Sequence, residues 1–273
     1  MTETPVYLFA ALACEAKPLI AYFKLKKHTE ISAFAIYSNG SITLTVAGVG
    51  KSAMAAGVAY TMALFPAKSL AVLVNLGVAG HKSHELGSLF CAEKIVDQDS
   101  ARAYYPQLVA DLSCASAVIN TVSQAQLDYQ STALYDMEAS AFYEAAIRFS
   151  SSELIQVLKV ISDNENSSVD AITPAKVSQW IECHLTEIDG VIKSLQALTG
   201  NYATPETGQY AEIIQTWRFS SQQKLQLQRL LSRWQVLTEG EIIDLTQQET
   251  LSGKAVLVYV QEKIAAHAFG GFM

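Results

Sequence analysis

Cysteine is scarce and scattered: the 273 residues hold four, Cys14, Cys91, Cys114 and Cys183, with no C-x-x-C pair and no cluster of histidines. That spacing suggests neither a disulfide framework nor a zinc-ligand set, so the thiols are expected to be reduced core residues. Positive charge is also short. With 19 Lys and Arg against 26 Asp and Glu the formal net charge is -7, and no basic run supplies the footprint a polyanion needs. Nucleic acid and membrane are therefore not expected as partners; a small molecule is, and no motif calls for a metal or other cofactor. The opening "MTETPVYLFAALAC" lacks a basic start, and Glu15 and Lys17 interrupt its apolar run before it could act as a signal or span a bilayer. A cytoplasmic location is the expectation. Internal repeats and low-complexity tracts are missing too.

What is present is apolar residue, 50% of the chain, ample for a large core. Short apolar runs at 5–13, 42–48, 70–77, 88–96 and 154–162 read as strands, several of them buried on both faces. Helical patterns at 15–25, 51–64 and 137–149 lie between them. This alternation predicts an α/β sheet covered by helices on both faces. A further helix is predicted over 175–198, with Thr173 as N-cap and Pro174 at the first helical position. The Gly, Pro and Thr rich stretch that follows marks a linker over about 200–208, which separates a domain at 1–199 from a mostly helical extension at 209–273. Within that extension "SSQQKLQLQRLLSRWQVL" is strongly amphipathic, while "KAVLVYVQEKIAAHAF" fits either strand or helix. The closing "FGGFM" places Phe269 and Phe272 on a glycine hinge that could dock into a neighbour or fray.

In an open α/β sheet ligands sit beyond the carboxyl ends of the strands, so the residues that end each strand carry the functional information. The first strand leads to Glu15. The next leads into "AGVGKSAMAAG", with Gly48 and Gly50, and the third into "NLGVAGH", with Gly77, Val78, Ala79, Gly80 and His81. A run ending at Asp136, Met137 and Glu138 and one ending at Ser162 and Asp163 complete the set. "GVGKSA" fits neither the phosphate-loop nor the dinucleotide spacing, so its glycines read equally as tight turns. Asp136 and Glu138 could both be acids at a helix N-terminus. Three carboxylates at buried strand ends, Glu15, Glu138 and Asp163, nevertheless require solvation by something.

Together "ALACEAKPLI", "AGVGKSAMAAG", "NLGVAGHKSHELGSL", "YDMEASAFYEAA" and "KVISDNEN" resemble, in order and spacing, the nucleoside phosphorylase and nucleosidase superfamily. The likeness is greatest to its 5'-methylthioadenosine/S-adenosylhomocysteine nucleosidase branch and extends from residue 5 to about 198. It implies a three-layer α/β/α fold with a mixed, partly barrel-like central sheet, cleavage of the N-glycosidic bond of a purine nucleoside, and a homo-oligomer. By the same resemblance Glu138 would accept hydrogen bonds from the ribose diol, with Met137 packed beside the sugar. Asp163 would deliver a proton to the base, and Glu15 would orient or deprotonate the attacking water. Gly48, Gly50, Gly77, Val78, Ala79, Gly80, Lys159 and Ser162 would lie near the base or an anion. Val78 and Lys159 depart from the family's Ser and Arg at the positions that hold this water, and lysine substitutes a point charge for a planar fork.

Aromatic candidates for stacking on a base are Tyr129 and Tyr135, with Phe142 and Tyr143 as core or site residues; His81 and His84 are expected to face solvent. Retention of Glu15, Met137, Glu138 and Asp163 outweighs the changes at Val78 and Lys159, so the expected function is hydrolysis of a purine nucleoside, including a 5'-modified one; the alternatives are phosphorolysis, a glycosyl transfer to phosphate, and a nucleoside-binding or interaction protein without turnover.

Overall fold

A computed structural model describes residues 4–67, 70–108, 112, 114–125, 131–167, 172–199, 208–238, 240–245 and 252–270. The chain forms two compact units, Met1–Tyr202 and Ala203–Met273. Most of the expected linker, and Tyr129 and Phe272, lie outside the described residues, as does the side chain of Phe269.

Among the described residues the first unit is built on ten strands: β1 Val6–Ala10, β2 Lys26–Lys27, β3 Ala35–Ser38, β4 Ile42–Val46, β5 Val72–Gly80, β6 Leu89–Asp97, β7 Ala103–Tyr104, β8 Ala115–Thr121, β9 Leu134–Asp136 and β10 Ile155–Asp163. Strands β10, β6, β8, β9 and β5 follow one another, and β10 also pairs with β5, so these five close into a barrel-like ring. From β5 the sheet continues through β1, β4, β3 and β2. Pairing is mixed: β1 is parallel to β4 and β5, whereas β10 is parallel to β5 and antiparallel to β6. At the open edge the two β2 residues, Lys26 and Lys27, are exposed, which discourages pairing with another chain.

Alternation along β1 sorts its side chains into two cores. Val6, Leu8 and Ala10 pack with Leu19 of α1 (Ala13–Tyr22), Val177 and Ile181 of α4 (Pro174–Cys183), and Ile188, Val191 and Leu195 of α5 (Leu185–Thr199). Tyr7 and Phe9 face the other way, onto Met54, Val58 and Met62 of α2 (Lys51–Leu64) and Phe142 and Tyr143 of α3 (Ala139–Ala146). The sheet is thus sandwiched between helical layers, the three-layer α/β arrangement.

The single helix expected over 175–198 is two. It starts as expected, with Thr173 Oγ1 accepting the Lys176 N–H at 3.3 Å and Pro174 in the first turn. At His184 it breaks, although no Gly or Pro stands there; the imidazole Nε2 bonds the Gly87 carbonyl at 2.6 Å, a tertiary contact that local sequence does not encode.

The second unit contains α6 (Gly208–Thr216), α7 (Ser221–Leu237) and α8 (Gly253–Gly270). Ser220 and Gln223 cap α7 reciprocally, the serine hydroxyl taking the Gln223 N–H and the glutamine Oε1 taking the Ser220 N–H. The ambiguous segment is helical, because Val256, Val260 and Ile264 recur at a four-residue spacing and face Ile213, Leu227 and Leu231 in one apolar cluster. Among the described residues no helix is long and apolar enough to cross a membrane.

Gly57 of α2 tests the packing of that helix, since a Cβ there would come within 2.7 Å of the Ala47 Cβ. Replacing Gly57 by Ala improves helix propensity by about 1 kcal/mol, but overpacking of this kind costs roughly 1–3 kcal/mol. The expected outcome is a lower melting temperature in a thermal denaturation scan. A higher one would mean the helix does not approach the sheet this closely.

Candidate active site

Strand β5 carries Gly77 directly opposite Lys159 of the parallel strand β10. A Cβ at Gly77 would lie 3.3 Å from the Lys159 ammonium and 3.0 Å from Glu15 Oε1, so the missing side chain is what admits both charged groups. Glu15 is not at a strand end, as the sequence suggested, but is the third residue of α1. From there its carboxylate turns back onto the N–H groups of Ala11 (2.9 Å) and Leu12 (2.8 Å) through Oε2, and takes the Val78 N–H (3.0 Å) through Oε1. Val78 therefore serves through its backbone, where its side chain offers no hydrogen bond.

Asp136 ends β9. Its Oδ2 accepts the N–H groups of Glu138 (3.1 Å) and Ala139 (2.7 Å), as expected of an acid at a strand-to-helix junction. The same oxygen also meets the Lys159 ammonium at 2.8 Å, with both side chains buried, so this acid is an ion-pair partner as well as a cap. Asp136 Oδ1 accepts the Thr121 hydroxyl at 2.7 Å, so each of its oxygens is engaged. Glu138, the N-cap residue of α3, uses Oε1 to take the Gly50 N–H at 2.8 Å from the glycine turn that opens α2. Gly48 and Gly50 have φ of +92° and +98°, which a side-chain-bearing residue would adopt only under strain. Met137 is half-buried.

Four buried ionisable groups are thus coupled, with one ammonium among three carboxyls. Burial pushes Glu15 above the ordinary glutamate range, against the opposing pull of Lys159 and of the backbone donors. Glu138 is raised as well, by burial and by neighbouring Asp136, again opposed by Lys159. Burial alone would weaken the Lys159 ammonium, but the negative charges of Asp136, Glu138 and Glu15 reverse this and hold its pKa above that of a free lysine.

Asp163 sits farther along β10, four residues past Lys159 or on the order of 13 Å at strand rise. The register slips between Ile161 and Asp163, leaving Ser162 as an extra residue while Ala79 pairs with Ile161 and Gly80 with Asp163. Such a bulge re-aims the side chains around it. Asp163 is buried, and Oδ1 accepts the Ser162 hydroxyl at 2.5 Å.

Structure and expectation part over the histidines. His81 is buried rather than facing solvent: its Nδ1 accepts the N–H groups of Ser83 (3.0 Å) and His84 (2.8 Å), so Nε2 carries the proton donated to the Thr132 carbonyl. His84, half-buried, stacks between His81 and Phe90. Phe142 and Tyr143 are core residues, and Tyr135 is half-buried with its hydroxyl 2.9 Å from that of Ser131. Thr121, Asp97 and Ser140, which sequence reasoning does not single out, join the cluster through hydrogen bonds. Asp97 is detectable, since it stands one residue beyond the apolar run at 88–96.

Among the described residues no group of His, Cys, Asp and Glu could hold a metal ion. Replacing Lys159 by Met would leave buried carboxylates without a counter-charge and is expected to cost about 3–5 kcal/mol at pH 8 in urea denaturation. The cost should shrink at pH 5.5. Carboxyls whose folded pKa exceeds the unfolded value bind more protons in the folded state there, so stability recovers as pH falls. An equal cost at both pH values would rule out the ammonium as the counter-charge.

No protein-family model matches this sequence, and no curated protein does. Solved structures do. A Helicobacter pylori 5'-methylthioadenosine/S-adenosylhomocysteine nucleosidase with butyl-thio-DADMe-Immucillin-A superposes with a TM-score of 0.58 at 12% identity, over 71% of this chain and 99% of that one. The native futalosine hydrolase of H. pylori gives 0.57 at 13% identity over 70% and 97%. A Colwellia psychrerythraea nucleosidase in complex with adenine gives 0.54 at 16% identity over 72% and 96%. At these identities the likeness is one of fold: over about 70% of its length this chain has the fold that these nucleosidase and futalosine hydrolase structures share.

Proposed function

We propose that the first unit hydrolyses the N-glycosidic bond of a purine nucleoside, including 5'-modified ones. The observation that carries this is the convergence of Glu15, Glu138 and Lys159 on one buried cluster, in a fold shared with nucleosidases. Cleaving a ribosyl bond builds positive charge on the sugar while electrons flow into the base, so the site needs anions near the sugar and an acid at the leaving nitrogen. Glu138, with one oxygen engaged by Gly50, keeps acceptor capacity for a cis diol. Glu15 spends three acceptor sites on backbone donors, leaving a position for a water whose proton it removes. That water attacks the anomeric carbon, the C–N bond breaks, and Asp163 supplies the proton that leaves with the base.

Hydrolysis is favoured over phosphorolysis because the cations beside Gly50 and Gly77, Lys51 and Lys159, are already taken. Lys51 bonds Asp97 and Asp99, Lys159 bonds Asp136, and the Gly50 N–H points at Glu138. A phosphate would have to displace these partners.

The test is incubation with a panel of purine nucleosides, with and without phosphate, monitored for free base. Release without phosphate is expected; release only with phosphate would move the reaction to phosphorolysis, and saturable binding without any release would leave a binding protein. Asp163→Asn is expected to lower kcat by about 100-fold or more while KM changes by less than about threefold. Because burial raises Glu15, the acid limb of the kcat/KM profile should fall above the ordinary glutamate value of about 4.3. A limb at or below that value would remove Glu15 as the base.

A further inference from the structure

The N-terminal ends of α2 and α3 meet through one hydrogen bond, Gly50 N–H to Glu138 Oε1. Gly50 itself is poorly placed to secure that bond. It has a positive φ and nothing lies within 4 Å of where its Cβ would be, so no side chain backs that face of the residue, and the neighbouring tie is the Gly48 N–H donating to the Ala11 carbonyl at 3.1 Å. The next residue provides the restraint. Lys51 donates to Asp97 Oδ2 at 2.9 Å and also bonds Asp99. Asp97 Oδ2 also accepts the hydroxyl of Ser140, two residues beyond Glu138, at 2.8 Å. Asp97 Oδ1 is anchored by the N–H groups of Asp99 (3.1 Å) and Ser100 (2.8 Å) and by the Ser100 hydroxyl (3.0 Å). One carboxylate therefore grips the residue after Gly50 and a residue on the first turn of the Glu138 helix.

We infer that Lys51 is a positioning residue for the nucleoside site: through Asp97 it braces the turn at 48–51 against α3 and thereby sets the carboxylate of Glu138. This rests on Glu138 being the ribose ligand. The side chains of Lys51 and Asp97 are 22% and 10% exposed, so the pair is shielded more than a surface ion pair. Burial would raise Asp97, yet the Lys51 ammonium and the Ser100 and Ser140 donors hold it far below the usual carboxylate range, as a brace that stays ionised requires.

Two measurements on the full chain test this. The first is a double-mutant cycle on adenosine affinity by calorimetry, with Lys51→Met and Glu138→Gln alone and together. Lys51→Met is expected to weaken binding about tenfold in the wild-type background and less than about twofold when Glu138 is already Gln. Equal losses in both backgrounds would show a merely structural role and overturn the proposal. The second needs no ligand: hydrogen exchange at the Gly50 amide should accelerate in Lys51→Met and be restored by Lys51→Arg, which can still span both aspartates. Unchanged Gly50 protection would overturn the brace whatever the nucleoside results. Accelerated exchange in a protein that binds no adenosine would uphold the brace and locate the failure in the ribose assignment.

Discussion

Lys159 brings a full positive charge into the interior of a parallel strand pair, where removing an ion from water costs several kcal/mol unless partners replace the lost hydration. Asp136 supplies the direct partner, and Glu15 and Glu138 add negative potential. The arrangement is mutual. Without the ammonium the three acids would repel one another in a poorly solvated space; without the acids the ammonium would be driven toward neutrality. Gly77 makes room for it, because any side chain there would occupy the gap shared by Glu15 and Lys159.

The fold meets this requirement by converging several strand and helix ends on one region. Asp136 ends β9 and its carboxylate caps α3, Glu138 stands at the N-cap position of α3, Glu15 lies in the first turn of α1, and Gly50 opens α2. Helix starts present unpaired N–H groups and favour nearby negative charge, so three of them arranged around acidic side chains lower the cost of burying those acids. The apolar layers on either side hold the strands in register, so the spacing of the charged groups is set by the sheet rather than by flexible side chains.

Much of this is legible in the sequence, for identifiable reasons. Fully buried strands such as 6–10 announce themselves as unbroken apolar runs, and Thr173-Pro174 marks a helix start by local chemistry alone. Strands at 35–38 and 115–121 do not, since they mix polar with apolar residues and are only partly buried. The site acids stand out because each ends an apolar strand, as Asp136 and Asp163 do, or follows one within a few residues, as Glu15 and Glu138 do. The Asp136–Lys159 pair does not, because the two residues are 23 positions apart in sequence on strands whose juxtaposition only the closed ring reveals. The burial of His81 is hidden for the same reason: the Thr132 carbonyl that receives its proton comes from a distant loop.

Burial beside one shared ammonium leaves Glu15 and Glu138 with pKa values above those of ordinary glutamates, and the chemistry assigned to the site depends on it. Side-chain carboxyl NMR titration of the wild-type protein measures this directly. Both residues are expected to titrate above about 4.3, and to do so as a coupled pair whose curves depart from independent single-site behaviour. Titration of both at or below that value, each independent of the other, would contradict the electrostatic basis of the site.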